Sequence, residues 1–414
     1  MKIDYLLITD YFPPENGSAS ILFYELAKEM VNKGSCVKVV TGFPSYNIKP
    51  KDLDRKYRNG MFLNENMDGI DVYRIKKLNL PRNINIFRGI DQFITAFLFL
   101  LRGLFVNNYD CILVYSPPLP LGITGYILKV LKNKKFILNV QDLFPKSAID
   151  LGALNNSFLI DIFKLIEKFV YLKSDFITVH SKGNKKYIDD FIKQRTPVSV
   201  VPNWVNIDEI TPGPKENVFS RKYNLDGKFV VSFAGIFGDS QDLDIIVDTA
   251  KYFKNKKDIE FLMVGEGKEK QRLLYRKNRE DIANLKILPM QPKQVYPHVL
   301  NSSDVGLVTL KDSVKSPVVP SKLIGIMSSG IPVAGAFPMH GDAPELINRA
   351  GAGICVQSGD RKGLINAIEI IYNNKELAEK YGQNGRKFVV ENNSLNKIPK
   401  RFNHIAGSIL RRDL

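Results

Sequence analysis

The residue best placed to hold a substrate hydroxyl in this 414-residue chain is an aspartate that directly follows a buried strand. The apolar run FILNV, residues 136–140, ends abruptly in Gln141-Asp142. In an open parallel sheet, ligands sit outside the carboxyl ends of the strands. Asp142 is therefore expected to face a cleft as a carboxylate. The competing reading is a helix cap, a role that suits aspartate equally well. An earlier strand, residues 112–115, runs into Ser116-Pro117-Pro118, and the same rule turns that loop towards the same edge.

A second chemistry-bearing stretch is Ser-Pro-Val-Val-Pro-Ser-Lys at 316–322. Ser321 is a good N-cap residue, and the helix after it reads to Gly330. A lysine in a first helical turn opposes the helix dipole unless an anion is present, so Lys322 points to a phosphate site. The alternative is a solvated lysine. Glycines also stand where strands give way to helices. Gly235 and Gly238, with Ser240-Gln241 behind them, follow one strand, and Gly265-Glu266-Gly267 follow another. Such turns let a ligand approach the backbone, although ordinary strand exits use glycine too. Near the N-terminus, Gly17 and Ser18 open a helix after the first strand and could offer backbone N–H groups to a phosphate. This is not the GxGxxG pattern of a dinucleotide site.

Other chemistries lack their parts. The four histidines, His180, His298, His340 and His404, are not spaced as metal ligands. Asp52 and Asp54 have DxD spacing, but they lie in a basic polar loop and read as solvated. No metal and no cofactor is expected. There is no Gly-x-Ser-x-Gly elbow and no Walker loop. Cys36, Cys111 and Cys355 all lie in apolar runs, far apart in sequence, and read as buried free thiols of a reducing compartment. The first ten residues read as a strand, not a signal peptide.

These residues need a scaffold. A chain this long fits two domains. Strand and helix patterns alternate throughout, which implies parallel βαβ units. The stretch 205–227, with Pro212, Gly213, Pro214 and Gly227, reads as a linker. The expected architecture is α/β: two doubly wound Rossmann-like domains, 1–205 and 206–394, facing a cleft. A final helical piece at 395–414 packs back on the first. The net charge is +16. It divides into 28 basic and 19 acidic residues up to 205 and 31 against 24 after it, so it is spread between the halves. That disfavours nucleic acid, which calls for a basic face or a known module. Anionic phosphates or an anionic membrane fit better. The apolar segment 86–106 carries Arg88, Asp91, Gln92, Thr95 and Arg102 on one face. That is too polar to span a bilayer. It reads as a core helix or an interfacial one, with Arg74, Lys76, Lys77 and Arg82 as nearby basic residues.

Taken in order, FPPENGSAS, TGFPSYNIKP, YSPPLPLG, VQDLFPKSAIDLG, VVPNWVN, GIFGDSQDLD, MVGEG, VPSKLIGIMSSGIPV and APELINRAGAGICV resemble family 4 glycosyltransferases of the GT-B fold. The similarity is greatest to their bacterial surface-polysaccharide branch. The resemblance implies a retaining transferase without metal. Such an enzyme moves a sugar from a nucleoside diphosphate, here expected to be UDP, to a polyprenyl-diphosphate-linked saccharide. It works in the cytoplasm or on the inner face of the membrane. Asp142 and Lys322 would be catalytic. Donor contacts would fall to Gly17, Gly238, Gln241, Gly265, Glu266, Met290, Ser321, Lys322 and Leu323. Acceptor contacts would fall to Glu15, Tyr46, Ser116 and Asp142. The chain departs from the pattern at Pro317 and Gly325, where many members carry glutamates, and at the loop GDSQ, where a basic pair is common. A histidine common before the aspartate is Gln141 here. A sugar-nucleotide epimerase of the same fold is the alternative. A non-catalytic membrane-surface or nucleic-acid-binding protein is the third reading, and would associate in a steeply salt-dependent way.

Overall fold

The computed structural model describes residues 2–15, 17–45, 53–78 and 85–411. Two compact units emerge. The first comprises Met1–Ile149, Leu154–Trp204 and Leu395–Leu414; the second comprises Asp150–Ala153 and Val205–Ser394.

The first unit is built on β1 (Tyr5–Ile8), α1 (Ser18–Asn32), β2 (Val37–Gly42), β3 (Phe62–Met67), β4 (Ile70–Ile75), α2 (Asn85–Leu104) and β5 (Cys111–Ser116). It continues with α3 (Leu121–Lys132), β6 (Lys135–Val140), α4 (Lys146–Asp150), α5 (Ser157–Lys173), β7 (Phe176–Val179), α6 (Lys182–Ile192) and β8 (Val198–Val200). The strands form one sheet in the order β3-β4-β2-β1-β5-β6-β7-β8. All pairings are parallel except β3–β4. Strands buried on both faces read as continuous apolar runs, which is why β1, β2, β5 and β6 are plain in the sequence.

The antiparallel edge strand β3 has no counterpart among the expected elements. Its residues alternate exposed and half-buried, so no apolar run marks it. The signal lay in the turn: Asp68 and Gly69 both take positive φ, 51° and 82°, which is the Asp-Gly pattern of a two-residue hairpin.

One face of this sheet is covered by α1 and by the chain's last helix, α15 (Ile398–Leu410). Phe402, Ile405 and Ile409 pack into the same core as Phe23, Leu26 and Met30. The chain's one tryptophan, Trp204, seats this helix. Its indole N–H donates to the Leu22 carbonyl at 3.2 Å, and its ring meets Phe402 edge-on at 6.4 Å. The other face carries α2, α3, α5 and α6 over a second core. Two of these helices begin at side-chain caps. Asn156 accepts the Leu159 N–H, and Ser181 accepts the Asn184 N–H.

The second unit contains α7 (Val218–Lys222), β9 (Phe229–Ala234), α8 (Asp244–Tyr252), β10 (Ile259–Val264), α9 (Lys270–Arg279), β11 (Leu285–Leu288) and α10 (Tyr296–Asn301). Then come β12 (Val305–Thr309), α11 (Ser321–Ser328), β13 (Val333–Phe337), α12 (Asp342–Ala350), β14 (Gly353–Gln357), α13 (Arg361–Asn373) and α14 (Lys375–Asn392). Its sheet is wholly parallel, in the order β11-β10-β9-β12-β13-β14.

Two expectations need correction. The stretch 205–227 is folded into the second unit, not a free linker. Asn217 forms a capping box with Ser220 at the start of α7, and its amide donates to Pro214, His298 and Ser302 oxygens. Phe219 and Leu225 are buried beneath it. The prolines marked a break in periodicity, but the burial comes from residues distant in sequence. Of the cysteines, only Cys111 is buried. Cys36 is exposed and Cys355 half-exposed, because Cys36 precedes β2 and never enters the sheet.

Glu167, on α5, is wholly buried. Burial pushes its carboxyl up to about 8, against the smaller opposing pull of the Tyr171 and Tyr187 hydroxyls. Its folded-state value is thus raised above the ordinary 4.5. The folded protein holds a proton here that the unfolded chain releases. Stability from this group is complete below the unfolded value and is lost as pH rises towards the folded one. Glu167→Gln keeps the shape of the neutral acid. It should match the parent near pH 5. Near pH 9 it should be the more stable by a few kcal/mol, at roughly 1.4 kcal/mol for each tenfold change in proton affinity. Thermal melts of both proteins across this range test it; parallel melting curves would refute it.

Candidate active site

In the first unit, the carboxyl ends of β5, β6 and β7 bring together Ser116, Gln141, Asp142 and His180. A short polar chain orders this edge. The Gln141 N–H donates to the Ser116 carbonyl at 2.8 Å, and its amide donates to Asn139 Oδ1 at 2.8 Å. Asn139 donates in turn to Thr178 Oγ1 at 2.9 Å. Asn184, in the first turn of α6, has its amide nitrogen 3.0 Å from His180 Nε2. Buried polar groups joined in this way hold the strand ends in register.

Asp142 stands at the end of this edge with its residue exposed to solvent. Surrounding protein nonetheless raises its carboxyl above the ordinary range by desolvation, and the nearby His180 pulls it back down. Helix α4 starts only at Lys146. Among the described residues no backbone N–H bonds to the Asp142 carboxylate; its carbonyl, instead, accepts the Phe144 N–H.

The other first-unit candidates are placed differently. Ser116 is buried and engages through its backbone. Glu15 is buried too, and its Oε1 accepts the Ser45 N–H at 2.7 Å, so one oxygen is used to tie down the loop after β2. Gly17 begins α1 with φ 170°, an extended conformation open to any residue, and no side chain caps that helix. Tyr46 lies outside the described residues.

In the second unit the candidate centre is Lys322, in the first turn of α11. It is not the solvated lysine of the alternative reading. Its ammonium donates to Gln241 Oε1 at 2.7 Å and sits 3.6 Å from the centroid of the Phe233 ring. Burial holds that ammonium well below the usual lysine range. Gly235 makes the room: a Cβ there would come within 3.0 Å of Lys322 Cε. The structure thus unites Lys322 with Gln241 and supplies Phe233 as a seat that sequence reading did not single out.

The glycine loops after β9 and β10 are needed first for each other. A Cβ on Gly265 would lie 1.9 Å from the Gly235 carbonyl oxygen, and one on Gly267 would lie 2.4 Å from that of Phe237. The Phe237 N–H donates to the Glu266 carbonyl at 2.8 Å. Gly238 has ordinary space around it.

Three donor candidates take other roles. The Glu266 carboxylate is exposed and paired with Lys270 at 2.5 Å along the next helix. Leu323 is fully buried in the core, with its N–H given to the Pro320 carbonyl. Pro320, not Ser321, occupies the cap position of α11, so Ser321 is its first helical residue. Met290 is half-buried just beyond β11. At Gly325, a Cβ would meet the Tyr296 hydroxyl at 3.1 Å. Burial pushes that phenol up to about 12, so it stays a hydrogen-bond donor.

His180 and Tyr296 escape a reading of the sequence for different reasons. His180 ends a parallel strand, as Asp142 does, and the same rule would have found it. Tyr296 carries no such signal, since only packing brings it to α11.

Residues 215–388 match the glycosyl transferases group 1 family. The chain is 24% identical over 304 residues to "Probable glycosyltransferase WbjE" of Pseudomonas aeruginosa, covering 73% of this chain and 75% of that one. It is 23% identical over 252 residues to "Putative colanic acid biosynthesis glycosyl transferase WcaI" of Escherichia coli, covering 58% and 61%. Among solved structures, the fold resembles sucrose-phosphate synthase from Thermosynechococcus elongatus, with TM-score 0.76 and 15% identity over 99% of this chain and 100% of that one. It also resembles HepE of Anabaena in complex with UDP, with TM-score 0.72 and 14% identity over 99% and 100%. The fold is GT-B.

Proposed function

Given that this chain is a glycosyltransferase, with residues 215–388 as its group 1 domain, we propose that it is a retaining enzyme. The donor is a UDP-linked sugar bound by the second unit. The acceptor is a polyprenyl-diphosphate-linked saccharide bound by the first, during surface-polysaccharide assembly. The enzyme works in the cytoplasm, in peripheral contact with an anionic membrane surface.

The observation that carries the donor half is the Lys322–Gln241 pair over Phe233 at the N-terminus of α11. A cation and helix N–H groups together form an anion site whose charge is strengthened when water is excluded. HepE has been solved with UDP, which supports that nucleotide for the donor. The relationship to WcaI supports a polysaccharide product.

Negative charge grows on the diphosphate as the glycosidic bond breaks, and Lys322 is suited to stabilise it there. The leaving phosphate takes the acceptor proton, so the first unit has to bind and orient the hydroxyl, not to remove its proton outright. Asp142, with His180 beside it, does this.

The test is a panel of UDP- and GDP-sugars incubated with the full chain and polyprenyl-diphosphate-sugar acceptors, read by product mass. A glycosylated lipid from a UDP-sugar is expected. Conversion of the sugar nucleotide with no lipid product would replace this reading with the epimerase one. Because Lys322 and the α11 N-terminus can neutralise a diphosphate, transfer is expected to persist in EDTA. Complete loss, restored by Mn²⁺, would refute that.

A further inference from the structure

We propose that the outer face of the α2–α3–α5 layer docks on an anionic lipid bilayer, its apolar side chains entering the headgroup boundary and a lysine collar holding the lipid charge. This deepens the membrane contact proposed above and rests on that reading for the enzyme's lipid-linked acceptor.

The starting observation is that α2 is turned opposite to an ordinary surface helix. Thr95 and Arg102 face the protein. Thr95 is buried, and Arg102 donates to Asn64 and stacks over the Phe62 and Tyr73 rings. Its apolar stripe faces outward instead. Phe93, Phe97 and Leu101, with Phe105 just past the end of the helix, recur at about one helical turn and are all exposed, Phe97 by 58% and Phe105 by 76%. A 20-residue helix runs about 30 Å, so the stripe is long.

Helix α5 repeats the arrangement. Phe158 and Leu165 are exposed by 71% and 68%. The two helices lie in one layer on one face of the sheet. Phe93 of α2 stacks on Phe163 of α5 at 6.2 Å, and Tyr126 of α3 meets Phe169 of α5 edge-on at 5.3 Å. Contiguous exposed apolar surface of this extent marks an interaction site.

The collar names the partner. Lys164, Lys168 and Lys173 are exposed on α5, against one exposed acid, Asp161. Lys173 also lies over the Tyr126 and Phe169 rings. A second copy of this chain would bring the same lysines against these, like charge to like. An apolar face rimmed by lysine fits an interfacial contact with anionic lipid. Among the described residues no helix is long and apolar enough to cross a membrane, so the contact is one of surface insertion.

Of the basic residues expected from the sequence, Lys76 is exposed, but two others are not available to a surface. Arg74 is wholly buried, bonded to Glu65 and to the Gly42 carbonyl, and Lys77 is buried against Asp10 at 2.7 Å. Arg82 lies outside the described residues. The lysine collar itself is formed by α5.

The test is co-sedimentation of the full chain with vesicles of phosphatidylcholine alone or with added phosphatidylglycerol. Binding is expected only with the anionic vesicles. Lys164→Gln with Lys168→Gln should lower binding by about tenfold or more, because one surface lysine contributes roughly fivefold. Phe97→Ser with Phe105→Ser should lower it by at least roughly tenfold, as inserted rings are lost. Leu165→Ser serves as an independent variant on the other helix. All these side chains are exposed, so circular dichroism melts should match the parent.

Folded variants that bind as the parent does would overturn the proposal. So would a dimer in light scattering that Phe97→Ser with Phe105→Ser dissociates. Transfer to acceptor in detergent with no vesicle binding would sink this proposal and leave the acceptor reading. Vesicle binding without any sugar transfer would support it and sink the acceptor reading.

Discussion

Replacing Lys322 with alanine is expected to weaken UDP-sugar binding and to slow turnover by about 10²–10³, the effect of losing one preorganised charge at the leaving group. Lys322→Met separates charge from packing, since it keeps an apolar stem over Phe233 while removing the ammonium. It should be as inactive as the alanine variant but closer to the parent in thermal stability. A pH signature accompanies this. Burial lowers the free-protein value of Lys322, and a bound diphosphate would raise it again. Donor binding then takes up a proton, and affinity should fall as pH rises through the free-protein value. Calorimetry in buffers of differing ionisation heat reads that proton, and Lys322→Met should abolish it. Unchanged kinetics in a folded Lys322→Met protein would remove the residue from the site.

Asp142→Asn is expected to lower turnover about a hundredfold or more, within the range for loss of one preorganised charge at the reacting groups, while moving stability by no more than about 0.5 kcal/mol. The residue is exposed to solvent, and among the described residues no backbone N–H bonds to its carboxylate. Asparagine would satisfy any cap as well as aspartate does. Turnover of the parent should rise with pH through a value above the ordinary 3.8, because desolvation raises this carboxyl. That acid limb should vanish in the asparagine variant. Melting temperature and the pH–rate profile, measured on one preparation, decide the matter. Normal turnover with an unchanged acid limb would leave Asp142 a structural residue.

Much of the scaffold is written locally. The buried strands β1, β2, β5, β6, β9, β10, β12 and β13 are short apolar runs bounded by turn residues. Such runs, alternating with helical patterns, imply parallel sheets whose carboxyl edges carry the ligands. This is why Asp142 and the start of α11 could be singled out from residue order alone. The edge strand β3 was not legible, because a half-exposed strand leaves only its turn as a signal.

By itself, then, the sequence determined two doubly wound units and which strand ends would bear polar groups, because apolar periodicity and turn chemistry act over a few residues. Only the tertiary structure decided what those groups touch. It placed Lys322 on Gln241 and Phe233, 81 and 89 positions away in the chain. It used the glycines at 265 and 267 for the approach of two loops to each other, and the one at 235 to make room for Lys322. It also turned Thr95 and Arg102 of α2 inward, so that the helix the sequence left undecided between core and interface shows an apolar stripe to solvent. These outcomes depend on distant segments competing for the same space, and no local pattern encodes that competition.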